Sequence, residues 1–177
     1  NTTACPKPNR AAAAETFVGL YMDQLRDGGM PDTALARETT LARNVGAWAV
    51  GFETRRRADG AAILIEQRGV MEIDAPREPF RLSARADRLE LHDGRLTVMD
   101  FKTGGAPSWK QVRTGFSPQL SLTAAIARAG GFPGLGVPEP GQLLYVTVTG
   151  RRPPATEVDR GGGAQKKDPQ TVAVTVD

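Results

Sequence analysis

Apolar residues recur at helical spacing along AAAAETFVGLYMDQLRD, residues 11–27, where Phe17, Leu20, Tyr21 and Leu25 share a face and Gly28-Gly29 follows as a stop. The spacing predicts a helix there. A second is predicted over 32–57, with a stripe of Leu35, Leu41, Val45, Trp48 and Phe52, ending at Arg55, Arg56 and Arg57 before Asp59-Gly60. Arginines in a last turn complement the helix dipole, so they read as a helix end in preference to a DNA contact. From residue 61 the pattern becomes that of strands. AAILIEQRGVMEI (61–73), PFRLSARADRLEL (79–91) and RLTVMDF (95–101) are rich in strand formers with turn residues between them, and fit three successive antiparallel strands. SPQLSLTAAIARAGGF then predicts a helix over 117–129, with Ser117 as N-cap, Pro118 at the first position and Gly130-Gly131 as terminator. A further strand is read in GQLLYVTVTG (over 142–149), a mobile Pro, Gly and charge-rich loop over 151–170, and an edge strand in TVAVTV, 171–176. The first ten residues, Cys5 among them, read as an unstructured lead. This order predicts one sheet covered by helices, an α/β or α+β layer fold.

The 177 residues, 40% hydrophobic and 24% charged, are those of one ordinary domain able to bury a core. No apolar run approaches the roughly 20 residues of a membrane helix. The start, NTTACPKPNR, has no signal-peptide pattern. A soluble, intracellular protein without a membrane partner is expected. The chain opens on Asn rather than Met, which fits a piece of something longer. One cysteine leaves no disulfide framework, no four-cysteine zinc site and no cysteine-ligated iron-sulfur cluster within this chain, so a metal would rely on oxygen ligands. The net charge of +3 permits an anionic partner without requiring one.

The stretch RADRLELHDGRLTVMDFKTG, 85–104, carries the chemistry. Asp93-Gly94 is a preferred two-residue hairpin turn; it sets His92 opposite Arg95 and, counting outward, Asp87 opposite Asp100. The count makes them a non-bonded pair, whose side chains approach to about 5 Å. Two like charges held so close require a shared proton, a basic partner or a cation. Strand alternation puts Lys102 on the Asp100 face and Phe101 on the other. Two carboxylates suit a hard cation such as Mg²⁺, and a nearby lysine can orient or acidify a water for phosphodiester hydrolysis. Equally, Lys102 and Arg85, opposite each other in the same register, pair with the aspartates as a plain charge cluster. Spacing alone leaves both readings open. A like-charge pair predicts that Asp100→Asn leaves the metal-free protein as stable, or more stable by up to about 1 kcal/mol.

ARADRLELHDGRLTVMDFKTGGAP followed by SPQLSLTAAI resembles the nuclease motifs of the RecB-like branch of the PD-(D/E)xK superfamily. QLSLTAAIARAGGF and EQRG most resemble the C-terminal nuclease domain of alphaproteobacterial-type AddB subunits of AddAB helicase-nucleases. The likeness is clear over 61–150 and weaker over 35–60. It implies a restriction-endonuclease-like α/β core with a central mixed sheet flanked by helices. It also implies a Mg²⁺-dependent deoxyribonuclease, with Mn²⁺ as a substitute, acting as an exonuclease in double-strand break repair and recombination. Carried over by motif, Asp87, Asp100 and the Phe101 carbonyl are metal ligands, Lys102 is the catalytic lysine, and Gln119 holds the site or the DNA. Glu66 matches a further acidic ligand, with Glu72 as its rival. The implied partners are single-stranded DNA and a helicase-nuclease subunit, in the cytoplasm at the nucleoid.

Three features depart from that pattern. The one histidine, His92, sits beside the turn rather than upstream; Thr123 stands where a helix tyrosine is usual; and no clustered cysteines clamp an iron-sulfur cluster. Around the site, Arg85, Arg88, Lys110 and Arg113 are candidates for phosphates and Trp109 for a base. Each has a structural reading beside it: Arg88 on the Phe101 face, Trp109 as a core anchor, Lys110 and Arg113 as a solvated helix face. Tyr145 reads as core packing. The alternative function is an inactive nuclease-fold module that binds DNA or a helicase partner.

Overall fold

The computed structural model describes residues 9–58, 60–148 and 150, together with the backbone of 171–175. Residues 1–8 of the expected ten-residue lead, Cys5 among them, Asp59 and the expected loop over 151–170 lie outside the described residues, whereas Asn9 and Arg10, also expected in the lead, cap and open the first helix. Residues 9–58 with Gly150 belong to one compact unit, and residues 60–148 with 171–175 to another.

The first unit is a helical hairpin of α1 (Arg10–Asp27) and α2 (Asp32–Ala58). Asn9 caps α1, its Oδ1 accepting from the N–H groups of Ala11 at 3.1 Å and Ala12 at 3.3 Å. Val18 and Met22 pack on Ala42, with Tyr21, Leu25 and Leu35 around them. The helices approach closely at Gly46, where a Cβ would lie 3.0 Å from the Ala14 carbonyl oxygen. Small residues therefore carry part of the contact. Leu20, expected on the buried stripe, is 66% exposed.

The second unit holds a five-stranded sheet in the order β1 (Ala62–Ile73), β2 (Phe80–His92), β3 (Arg95–Lys102), β4 (Glu139–Thr147), β5 (Thr171–Thr175). β4 runs parallel to β3 and every other neighbouring pair is antiparallel. It is a mixed α/β arrangement. Asp93 and Gly94 both lie in the left-handed region, at φ 49° and 77°, as a primed hairpin turn needs. The predicted register follows, from His92 opposite Arg95 to Arg88 opposite Met99. On one face Leu89, Leu96, Val98, Leu143 and Tyr145 join Phe132 and the inner residues Leu120, Ile126 and Ala127 of the helix α4. The other face buries Met99, Leu144 and Val146 beside an Arg88–Glu90 ion pair at 2.7 Å.

A short helix, α3 (Trp109–Arg113), precedes α4 (Gln119–Arg128). Its five residues are too few to show a period, but Ser108 and Gln111 form a capping box that starts it. Ser117, the expected N-cap of α4, instead donates its N–H to the Gln111 carbonyl at 3.1 Å. α4 starts after Pro118, which offers no side-chain cap. It ends at Gly130, φ 73°, with the Gly131 N–H on the Ile126 carbonyl at 2.9 Å.

Gly141 decides which face of β4 meets the core. Leu96 pairs with Pro140 but Thr97 pairs with Gln142, so Gly141 is an extra residue in β4. A Cβ on it would lie 2.1 Å from the Leu96 carbonyl oxygen. Beyond this bulge Asp100 pairs with Tyr145; a slip by one residue would turn β4 over. Gly141→Ala is therefore expected to destabilise the fold by about 1–3 kcal/mol, read as a lower urea midpoint, and an unchanged midpoint would mean that the bulge is not tight.

Candidate active site

Alternation along β3 turns Asp100 and Lys102 toward α4 and Phe101 to the opposite face. Asp100 is buried, 3% exposed, and a buried carboxylate needs partners to stay charged. Two are supplied. Gln119, first residue of α4, donates a short hydrogen bond from Nε2 to Asp100 Oδ1. Lys102 Nζ lies 2.6 Å from Asp100 Oδ2 and donates to Gln119 Oε1 at 3.2 Å. A lysine only donates and a carboxylate only accepts, so one orientation of the Gln119 amide satisfies both neighbours. The Lys102 side chain is 31% exposed, and among the described residues its ammonium makes one hydrogen bond, to Gln119, and one ion pair, with Asp100.

Asp87 is placed differently from the expected bare pair. The β2–β3 ladder stops at Arg88–Met99, and the Asp87 carboxylate accepts the Phe101 N–H through Oδ2 at 2.9 Å. Each aspartate thus has its own donor, and in the metal-free protein Lys102 is the counter-ion of Asp100. On the other side of β2 the pairing also skips Asp87, running from Ile65–Arg88 to Gln67–Ala86 around Glu66 at φ 54°. Glu66, an expected ligand, lies 2.6 Å from Arg85. Arg85 is thus paired with Glu66, and the β2–β3 ladder, which ends at Arg88–Met99, does not set it opposite Lys102.

Tyr145 was not expected here. Its buried ring, 1% exposed, lies under Lys102 with Nζ 5.7 Å from the centroid. Burial, and then the Asp100 charge, push its hydroxyl pKa up, against smaller lowering by Lys102 and by a hydrogen bond from the Leu120 backbone. No pattern within β4 could have placed Tyr145, because its neighbour in β3 depends on the Gly141 bulge.

The outer residues divide. Arg88 is 4% exposed and bonded to Glu90 on the face opposite Asp100, so it is not presented to a phosphate there, which corrects its candidacy. Lys110 and Arg113 are exposed on α3, the helix that Trp109 opens. Phe116, which sequence reasoning passed over for Trp109, is 84% exposed three residues before Gln119. Its turn is pinned by Gly115 N–H on Val112 at 3.2 Å and Ser117 N–H on Gln111 at 3.1 Å. Thr123 is buried and donates its hydroxyl to the Gln119 carbonyl at 2.8 Å. Glu72 is exposed far along β1, opposite Arg81, and His92 stays at the turn.

Among the described residues no three His, Cys, Asp or Glu side chains gather closely enough to hold a metal. The donor set still suits a hard cation: Asp100 Oδ2 is buried without a hydrogen bond, its charge met by Lys102 alone, and the half-buried Asp87 carboxylate accepts the N–H of Phe101, the residue next to Asp100. Among the described residues no helix is long and apolar enough to cross a membrane.

A sheet face that presents Asp, Asp and Lys from two inner strands, with a helix glutamine, is the arrangement expected of one nuclease class, and the family model of the PD-(D/E)XK nuclease superfamily matches residues 5–175. The chain belongs to that superfamily, whose members generally are nucleases and typically use divalent metals. Over 82 residues, 46% of its length, it is 29% identical to uncharacterized proteins of Rickettsia felis and Rickettsia conorii. It spans 10% of the length of those curated relatives. The crystal structure of SSO0001 overlaps 82% of this chain and 59% of that one, with a TM-score of 0.38 and 15% identity.

The hydrogen-bonded geometry reverses the expected response to neutralising Asp100. Asp100→Asn keeps the shape but loses the charge that Lys102 and Gln119 serve, so metal-free protein should lose about 1–2 kcal/mol. Thermal melts in EDTA check this; a variant as stable as the parent would favour the like-charge pair.

Proposed function

We propose that this chain is the nuclease domain of an AddB-like subunit, a Mg²⁺-dependent exonuclease that trims single-stranded DNA during double-strand break repair and recombination. The observation that carries the hydrolytic part is the closed network of Asp100, Lys102 and Gln119 with Asp87 alongside. Asp87, Asp100 and the Phe101 carbonyl would hold the ion. When bound, Mg²⁺, or Mn²⁺ in its place, supplies Lewis-acid charge at the scissile phosphate. Lys102 keeps one N–H for a water or a phosphate oxygen, which orients the attack and meets the charge developing on the phosphoryl group. Gln119 holds Asp100 and Lys102 in mutual aim. Lys110 and Arg113 supply positive charge for the backbone, and the Phe116 ring offers a surface on which an unpaired base can stack.

The small share of its relatives that the chain covers supports a domain within a larger subunit, to which a helicase partner at the nucleoid would deliver the unwound strand. Purified protein is expected to degrade end-labelled single-stranded DNA with Mg²⁺ or Mn²⁺ and to stop in EDTA. Lys102→Ala, folded by circular dichroism, should lose about 100-fold or more. Cleavage that persists in EDTA, or equal cleavage by Lys102→Ala, would contradict the mechanism. DNA binding without cleavage in either ion would make the chain a binding module instead.

A further inference from the structure

We infer that Tyr145 is the positioning residue of this site, its ring forming the seat that holds the Lys102 ammonium against Asp100 and Gln119. In its link to catalysis this rests on the nuclease reading; the seat itself does not. Lysine has a flexible four-carbon stem and three donors, and among the described residues Lys102 makes one hydrogen bond and one ion pair. Those contacts alone leave a partly exposed side chain with other rotamers open to it. An aromatic face 5.7 Å below the nitrogen is within the range of cation–π attraction, about 6 Å, and closes the space beneath.

Neither neighbour in β4 could replace it. The bulge at Gly141 sets Tyr145 beside Asp100, and the flanking Leu144 and Val146 lie on the other face.

The ring and hydroxyl contributions separate in Tyr145→Phe and Tyr145→Leu. With the lysine side chains isotopically labelled and Lys102 assigned through Lys102→Ala, the Lys102 ε-methylene NMR signal should lie upfield of the other lysines in the parent. It should remain so in Tyr145→Phe and move to the common position in Tyr145→Leu. Cleavage below the melting temperature should follow the ring: Tyr145→Leu loses about tenfold or more in kcat with KM little changed, and Tyr145→Phe recovers most of it. In the Lys102→Ala background Tyr145→Leu should cause no further loss. An unshifted Lys102 signal in the parent overturns the seat without any variant, whether or not Tyr145→Leu folds. A Phe variant as impaired as the Leu variant overturns the role of the ring. If the parent cuts no DNA, the nuclease reading fails while the NMR signal still decides the seat.

Discussion

A charged carboxylate buried beneath a helix must be met by donors, and Asp100 is where this molecule meets that demand. Breaking such a contact leaves an uncompensated charge, which is far more costly than the contact is stabilising. Lys102 comes from the same strand two residues on, and Gln119 from the first turn of α4. The position of α4 over the sheet, the end of β3 and the register of β4 all have to agree for this group to be satisfied. The carboxylate therefore links the apolar core, which fixes α4 through Leu120, Ile126 and Ala127, to the exposed end of Lys102 where chemistry can occur.

Much of this was legible in the chain. Asp93-Gly94 admits one common turn, and that turn fixed β2 against β3 residue by residue. The Asp-x-Lys pattern at the end of a strand put both charges on one face through the period of two. The two long helices announced themselves by period and by glycine stops. In each case a local rule, turn chemistry or side-chain periodicity, was sufficient, and tertiary contacts agreed with it.

What escaped depended on contacts distant in sequence. Extending the hairpin ladder put Asp87 flat against Asp100, but the ladder stops one pair earlier and a backbone N–H of Phe101 takes the Asp87 carboxylate. Glu66 and Arg85 pair across β1 and β2 at an irregular residue that alternation cannot foresee. Arg88 looked like a phosphate contact until burial beside Glu90 was visible. Tyr145 sits beneath Lys102 only because Gly141 adds a residue to β4, and no pattern inside β4 marks that insertion as a change of face. Ser117 resembled a cap because a Ser-Pro pair usually starts a helix, yet its N–H is bound to α3.

The proposed cation site is formed by Asp87 and Asp100, with Lys102 balancing the charge of Asp100 when no ion is bound. Anomalous scattering from crystals grown in Mn²⁺ decides whether both carboxylates bind the ion. A manganese peak in contact with carboxylate oxygens of both aspartates is expected. At saturating Mn²⁺, the absence of a peak there with Lys102 still 2.6 Å from Asp100 would show that the aspartates serve structure alone, and would contradict the proposed site.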